Sequence, residues 1–142
     1  MCWVSEIELK AQIAKEDIPI FKICKVATTE TVISFYRNFV YELGKTYSDK
    51  ESLRKLITAN GSQTISEGFH SYSPLMCYTE IHQINPISYM IYIKYKHIVM
   101  DGILGLSNII KVNGIIPKDS IYYLNSRGEY VSNSIKLLNY KL

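Results

Sequence analysis

The chain has 142 residues, of which 47% are hydrophobic and 20% are charged, and it contains no low-complexity run. This length and composition predict one compact domain over residues 1–142, long enough to bury a core. The formal net charge of +3 is small and the lysines are scattered singly along the chain. Binding to DNA or RNA is therefore not expected.

Cysteine usage and the N-terminus predict a cytoplasmic setting. Cys2, Cys24 and Cys77 are an odd number of cysteines at wide spacing, which suits neither a disulfide framework nor a metal knuckle. The first residues have neither the basic nor the apolar region of a signal peptide. No run approaches the roughly 18 apolar residues of a membrane span, so no membrane association is expected.

The first third of the chain predicts a short helix followed by strands. Residues 4–16 have apolar residues at helical spacing, with Ser5 as the cap. Residues 18–26 alternate and predict a strand with Pro19 at its start, where no ladder donor is needed. The aromatic-rich segment 32–43 favours a bent strand or two short strands.

Two more helices are predicted in the middle of the chain. Residues 49–59 have an apolar face and a polar cap, and Asn60-Gly61 is typical of a helix end. A helix over about 74–83 follows, with Pro74 in its first turn.

The remaining elements are predicted to be strands. Residues 88–100 alternate strictly, residues 109–116 form a second apolar strand, and residues 121–124 and 129–131 flank a hairpin turn. A last strand covers 134–138. This order predicts an α+β fold with a largely antiparallel sheet and two or three short helices.

The most suggestive segment is residues 65–75, where Gly68, Phe69, His70, Ser71 and Tyr72 are consecutive. On a strand, His70 and Tyr72 share one face, so an imidazole and a phenol could meet a ligand together. The alternative is that His70 is a structural histidine whose hydrogen bonds are satisfied within the fold.

Several kinds of chemistry lack support in the sequence. The three histidines have no ligand partners at metal-binding spacing, and the glycines are too far apart for a phosphate-binding loop. Cys77 or Ser71 with His70 could form a nucleophile–base pair, but no nucleophile elbow or reactive-cysteine context accompanies them. No feature of the sequence singles out a hydrolase with paired catalytic carboxylates. Neither a metal nor a cofactor is expected.

Three segments together resemble a degenerate version of the ADP-ribosyltransferase-like fold. They are Gly-Phe-His-Ser-Tyr-Ser at 68–73, Ile-Ile-Pro-Lys-Asp at 115–119 and Glu-Tyr-Val at 129–131. Tyr72 replaces a small residue of that family, and Ser-Asn-Ser at 132–134 occupies the place of its Glu-x-Glu. Glu129 lies too early to replace that motif. The resemblance implies a nucleotide-sized pocket and puts transferase activity in doubt.

Most of the chain is also similar to a family of small proteins from gut Bacteroides-type bacteria and their phages. The similarity lies in segments 17–22, 41–47 and 68–72, and in the stretch 116–132 that ends in Gly-Glu-Tyr-Val-Ser. This resemblance implies no activity of its own. Some short phage proteins sequester host nucleotide signals, so it favours a phage-encoded, anti-defence role.

The first hypothesis is therefore non-enzymatic binding of a nucleotide-derived signal, of the ADP-ribose or cyclic-nucleotide type. Aromatic rings would stack on base or ribose, cations would meet phosphates, and a histidine and a serine would hydrogen-bond the sugar. The predicted ligand-binding residues are Tyr36, Arg37, Lys45, Phe69, His70, Ser71, Tyr72, Lys118, Tyr122, Tyr123 and Glu129.

Two other hypotheses remain open from the sequence. One is a divergent enzyme that transfers ADP-ribose or cleaves a nucleotide, with Glu129 or His70 as the key group. The other is a protein–protein interaction module with a tyrosine-rich surface, since the chain has 12 tyrosines. An exposed edge strand could also pair two copies into a homodimer.

Overall fold

The computed structural model describes residues 3–34, 39–51, 53, 56–74 and 109–140. Over these residues the chain forms strands and turns and no α-helix. In chain order the strands are β1 (Trp3–Ser5), β2 (Gln12–Ile13), β3 (Ile18–Val26), β4 (Thr31–Ser34), β5 (Val40–Glu42), β6 (Thr46–Ser48), β7 (Leu56–Ala59), β8 (Ser62–Ile65), β9 (Phe69–Tyr72), β10 (Ile109–Ile116), β11 (Ile121–Leu124), β12 (Glu129–Ser132) and β13 (Ser134–Tyr140). The predicted α+β class is wrong, and the protein is a β-rich fold.

The helix predicted over residues 4–16 is replaced by β1 and β2. The hydroxyl of Ser5 closes a local turn: it accepts from Ile7 N (3.3 Å) and donates to Ile7 O (2.7 Å). Leu9 N then donates to Gln63 Oε1, and Gln63 Nε2 donates to Leu9 O, both at 2.9 Å. A side-chain amide from a distant strand thus satisfies backbone groups that a helix would satisfy internally.

The helix predicted over residues 49–59 is also wrong, because its second half is strand β7. Asn60 and Gly61 have positive φ angles of 53° and 79°. They form a two-residue hairpin turn, across which Ala59 pairs with Ser62. Asn-Gly is suited both to a helix end and to this hairpin turn. Long-range pairing of β8 with β1 selects the hairpin.

The strands that were predicted within the described residues are confirmed. Residues 18–26 form β3, residues 109–116 form β10, and the predicted hairpin forms β11 and β12. The segment 32–43 contains two short strands, β4 and β5. Beyond Pro74, the helix predicted over 74–83 lies outside the described residues, as does the strand predicted over 88–100.

The strands form two sheets, and all the pairings between described strands are antiparallel. The larger sheet has ten strands, in the order β2-β11-β12-β9-β3-β10-β13-β6, with β4 joining β3 to β5. The smaller sheet has the order β1-β8-β7. β3 is central to this sheet, because it pairs with β10 along one edge, from Ile18 to Lys25, and with β9 and β4 along the other.

Six strands of the larger sheet form a ring, in the order β5-β4-β3-β10-β13-β6. The turn between β5 and β6 closes it, since Leu43 N donates to Glu30 O (2.8 Å) and Gly44 N donates to Leu137 O (2.7 Å). The ring encloses the main core, which includes the buried side chains of Ile20, Cys24, Val32, Ile110, Val112 and Leu137. Burial of these apolar side chains is the main stabilising term for the ring.

A second cluster joins the smaller sheet to the larger one. Its buried members are Trp3 and Ile65 from the smaller sheet and Tyr123 and Val131 from the larger one. Directly after Ile65, residues 66–68 lead from β8 into β9. The smaller sheet therefore helps to position the start of β9.

One edge of β3 is shared by two different strands. Phe21 pairs with Tyr72 of β9, whereas residues 24–26 pair with β4. Lys22 and Ile23 lie between these two pairings, where β9 and β4 diverge. We call this place the fork; a cavity opens there.

Candidate functional site

The cavity at the fork has a volume of about 520 Å³. Ligand-binding clefts of proteins span roughly 300–1,000 Å³, so the fork cavity is large enough for a small organic molecule. Its wall is built from β3, β4, β5, β6 and β9, together with the segments that precede β5 and β9 and follow β6.

Aromatic side chains form much of the cavity wall. Phe39 is central: its ring centroid is 4.7 Å from that of Tyr41, 5.5 Å from Tyr47 and 6.5 Å from Phe69. These tilted and edge-on arrangements are the favoured geometries for aromatic pairs. Phe39 is 44% exposed, so the cluster presents an aromatic surface to the cavity.

Tyr41 anchors the cluster in the core. It is buried beside Cys24 and Tyr47, and burial raises the pKa of its phenol well above the usual value. Burial also raises the pKa of the Cys24 thiol to about 11. Both groups are therefore neutral at physiological pH, and Tyr41, which lines the cavity, adds an uncharged surface to its wall.

One long-range and one local hydrogen bond hold the cavity side of β9. Lys22 Nζ donates to His70 O at 2.6 Å, and His70 Nε2 donates to Glu67 O at 3.1 Å. The second bond closes the turn before β9, and the first ties β9 to β3 at the fork. His70 therefore has a structural role as well as a place on the cavity wall.

Gly68 allows the chain to enter β9. Its φ is +87°, and a Cβ atom there would lie 2.9 Å from Val131 Cγ2, 3.1 Å from Leu53 Cδ2 and 3.2 Å from Ser132 O. A residue with a side chain would be strained by this backbone angle and would also clash. Gly68 thus permits a close approach of the chain to β12 next to the cavity.

Three charged side chains line the described part of the cavity: Lys22, Asp49 and Glu67. Asp49 lies just beyond β6, and its Oδ1 accepts from Glu51 N at 3.1 Å. Ser34 and Ser48 contribute hydroxyl groups to the wall. The polar part of the wall thus offers both hydrogen-bond acceptors and donors beside the aromatic part.

Four predicted site residues lie on β9, and three of them line the cavity: Phe69, His70 and Tyr72. The ring of Tyr72 stacks on Phe21, with centroids 5.4 Å apart. Ser71 does not line the cavity and is only 1% exposed. Among the described residues its hydroxyl has no hydrogen-bond partner.

The predicted phosphate-binding cations are not brought together in the described part of the chain. Lys45 is outside the cavity lining, with a side chain that is 60% exposed and 3.9 Å from Glu42. Lys118 is exposed in the turn after β10, where its backbone N–H donates to Asp17 Oδ1. Tyr36 and Arg37 lie outside the described residues.

Two further predicted site residues, Tyr122 and Tyr123 of β11, are also outside the cavity lining. Tyr122 donates to Gln12 Oε1 at 2.8 Å and packs edge-on against Tyr130. Tyr123 is buried against Trp3, with ring centroids 5.6 Å apart. These two side chains serve packing between strands.

Glu129 belongs to a different polar cluster. Its side chain accepts from Asn125 Nδ2 at 3.0 Å, and the same amide donates to Val4 O at 2.9 Å. Burial raises the pKa of the Glu129 carboxyl, while the Asn125 hydrogen bond and the Arg127 charge partly oppose this effect. Arg127 lies 3.3 Å from Glu6 and helps line a second, small cavity of about 120 Å³.

The sequence analysis missed several cavity residues, notably Lys22, Phe39, Tyr41, Tyr47 and Asp49. The only available signal was the run of aromatic residues from 35 to 47, which was interpreted as strand propensity. These residues come together only because of the fork and the closure of the ring. Both depend on pairing between distant strands, which local sequence patterns do not predict.

Comparison of the chain with protein-family models, curated proteins and solved structures finds no match. Both resemblances given above therefore stay predictions. Within the described ranges, no helix is long and apolar enough to cross a membrane. The same residues hold no group of three or more His, Cys, Asp or Glu side chains that could bind a metal ion.

Proposed function

We propose that the protein binds a small, ring-bearing molecule of the nucleoside or nucleotide class in the fork cavity. The observation that carries this proposal is the aromatic wall formed by Phe39, Tyr41, Tyr47 and Phe69 around a space of about 520 Å³. Cavities of this size, with apolar walls and a few convergent polar groups, are the usual form of a small-molecule site.

Stacking supplies the affinity in this proposal. An aromatic side chain stacked on a base contributes roughly 1–3 kcal/mol, and it does so for every base because each has a flat π face. Phe39 is the best candidate for this contact, since it is the cavity aromatic with the most exposed surface. Ser34 and the fixed side chains of His70 and Lys22 are placed to set the orientation of the ring.

Binding without turnover agrees best with the position of Glu129. The enzyme hypothesis names Glu129 or His70 as the key group. Glu129 hydrogen-bonds Asn125 and is outside the cavity lining, and His70, which does line the cavity, donates its ring N–H to Glu67 O. The proposed role is therefore sequestration in the cytoplasm, as a phage-encoded anti-defence protein would perform it.

Isothermal titration calorimetry tests the proposal with a panel of nucleosides, nucleoside monophosphates, ADP-ribose and cyclic dinucleotides. We expect at least one compound to bind at micromolar concentration, and Phe39→Ala to weaken it at least tenfold. Val40→Ala is the matched control, because Val40 is adjacent, 54% exposed and outside the cavity lining. The proposal fails if no compound binds, or if both variants bind as the parent does.

A further inference from the structure

We infer that Asn60 is a modification site, at which the folded chain deamidates spontaneously, and that Asn113 is protected from the same reaction. The inference is independent of the proposed function. The chain has two Asn-Gly pairs, Asn60-Gly61 and Asn113-Gly114, and the fold places them in opposite surroundings.

The reaction needs a glycine nitrogen that is free to move. This backbone nitrogen attacks Cγ of the preceding asparagine, and a five-membered succinimide ring forms as ammonia leaves. Water then opens the ring at either of its two carbonyl carbons, which gives aspartate or isoaspartate. Glycine favours the attack because it has no Cβ beside the nitrogen. The backbone must still rotate to bring the two atoms together, and a strand held in a sheet resists that rotation.

At Asn60 the fold leaves the glycine nitrogen accessible. Asn60 and Gly61 are exposed and form the two-residue turn between β7 and β8. The hydrogen bond that closes such a turn joins the flanking residues, here Ala59 and Ser62, so the N–H of Gly61 takes no part in it. No atom of the described residues lies within 4 Å of the position that a Cβ would occupy at Gly61. The backbone therefore has room to rotate.

At Asn113 the backbone is held on both sides. Asn113 is also exposed, so exposure does not separate the two sites, but Gly114 is buried and pairs with Ile20 of β3 and Leu137 of β13. The register with β13 shifts between Asn113 and Gly114, whereas the pairing with β3 runs through both residues without a shift. A Cβ at Gly114 would lie only 2.6 Å from Lys136 O. Rotation there requires neighbouring strands to separate.

The positions of the two strands in their sheets point the same way. Among the described strands, β7 is the last of the smaller sheet and pairs only with β8, whereas β10 lies inside the larger sheet between β3 and β13. Local opening of an edge hairpin costs less free energy than separation of a central strand. The open form that reacts is therefore populated more at Asn60 than at Asn113.

The modification changes the hairpin that precedes β9. Both products carry a negative charge in place of a neutral amide, and isoaspartate also adds one carbon atom to the main chain within a two-residue turn. β8 pairs with β1 and leads through residues 66–68 into β9. Deamidation at Asn60 thus acts on the smaller sheet.

Peptide mapping by mass spectrometry tests the inference on the full chain, incubated at pH 8 and 37 °C. Deamidation raises the mass of a peptide by about one dalton, and fragmentation locates the change. We expect the folded protein to react at least about tenfold faster at Asn60 than at Asn113, because the edge hairpin opens more readily. In guanidinium chloride both pairs have lost the sheet, and the two rates are expected to agree within about threefold.

Two matched variants provide a second readout, the accumulation of acidic forms on ion-exchange chromatography. Asn60→Asp removes the reactive amide and keeps a residue that suits this turn, so acidic forms are expected to stop accumulating. Asn113→Asp is the control and should accumulate them as the parent does. Continued accumulation in Asn60→Asp overturns the inference.

Three outcomes of the mass spectrometry also overturn it. One is equal rates at the two sites in the folded protein, and another is no reaction at Asn60 over a period in which the unfolded protein is converted. The third is an equally large preference for Asn60 in the unfolded protein, because the local sequence and not the fold would then explain it.

Discussion

The indole Nε1 of Trp3 donates a 2.8 Å hydrogen bond to the backbone oxygen of Glu129, 126 residues away in the chain. This bond ties the first strand of the smaller sheet to the larger sheet. It lies beside the cluster of Ile65, Tyr123 and Val131, which packs the same two sheets together. Stability and cavity geometry are therefore linked, since β8 of the smaller sheet leads directly into β9.

Replacement of Trp3 tests this link between the sheets. Trp3→Phe removes the donor and part of a fully buried ring, so the Glu129 carbonyl oxygen loses one of its two donors and keeps only Asn125 N, at 3.1 Å. We expect the free energy of unfolding to fall by about 2–4 kcal/mol, measured by urea denaturation followed by circular dichroism. Val4→Ala, at the neighbouring exposed position of β1, is the control and should cost less than about 1 kcal/mol. Equal losses would contradict a specific role for the indole.

Glu129 predicts a dependence of stability on pH. Because burial raises the pKa of its carboxyl in the folded protein above the ordinary value of 4.5, its contribution to stability is fully present below that value and is lost as pH rises through the raised pKa. Glu129→Gln keeps the oxygen that accepts from Asn125 and removes the charge. We expect this variant to gain stability relative to the parent as pH rises from 4 to 7.5.

Urea denaturation at several pH values checks this expectation, with the fluorescence of Trp3 as the probe. Glu8→Gln, which changes an exposed carboxylate, is the control and should stay within about 0.5 kcal/mol of the parent throughout. A Glu129→Gln variant that loses stability relative to the parent at high pH would contradict the sign worked out above.

Gly68 and Gly44 form a matched pair for testing the entry into β9. Both have positive φ, at +87° and +84°, but only Gly68 has atoms within 4 Å of the position that a Cβ would occupy. Gly44→Ala is expected to cost about 1 kcal/mol from backbone strain alone. Gly68→Ala is expected to cost about 2–4 kcal/mol, because the overpacking against Val131 adds to the strain. Thermal or urea unfolding measures both, and similar costs would show that the close approach is unimportant.

Ser71 and Ser132 test the value of a buried hydroxyl. Both are buried, but Ser132 Oγ donates to Ser134 O at 2.8 Å, whereas Ser71 Oγ has no partner among the described residues. Ser71→Ala is expected to leave stability unchanged or raise it by up to about 1 kcal/mol, since it removes an unsatisfied polar group. Ser132→Ala is expected to lower it by about 1 kcal/mol. The reverse order in urea denaturation would contradict this reading of the two hydroxyls.

The sequence by itself determined several of the strands. β3 was predicted from alternation, β10 from an apolar run, and the β11–β12 hairpin from two short runs on either side of turn residues, because apolar runs bounded by turn residues are typical of buried strands. It also singled out residues 68–72, of which all but Ser71 line the cavity.

Tertiary structure decided the rest. Residues 4–16 and 49–59 have local features of helices, yet Gln63 and the pairing of β8 with β1 and β7 hold parts of them as strand and extended chain. These contacts join distant positions, so they override weak local propensity without altering it. The cavity depends on two strands that share one edge of β3, and aromatic side chains from β5, β6 and β9 meet there only because the ring closes. Local sequence patterns report which face of a strand is buried, but not which other strand will cover it.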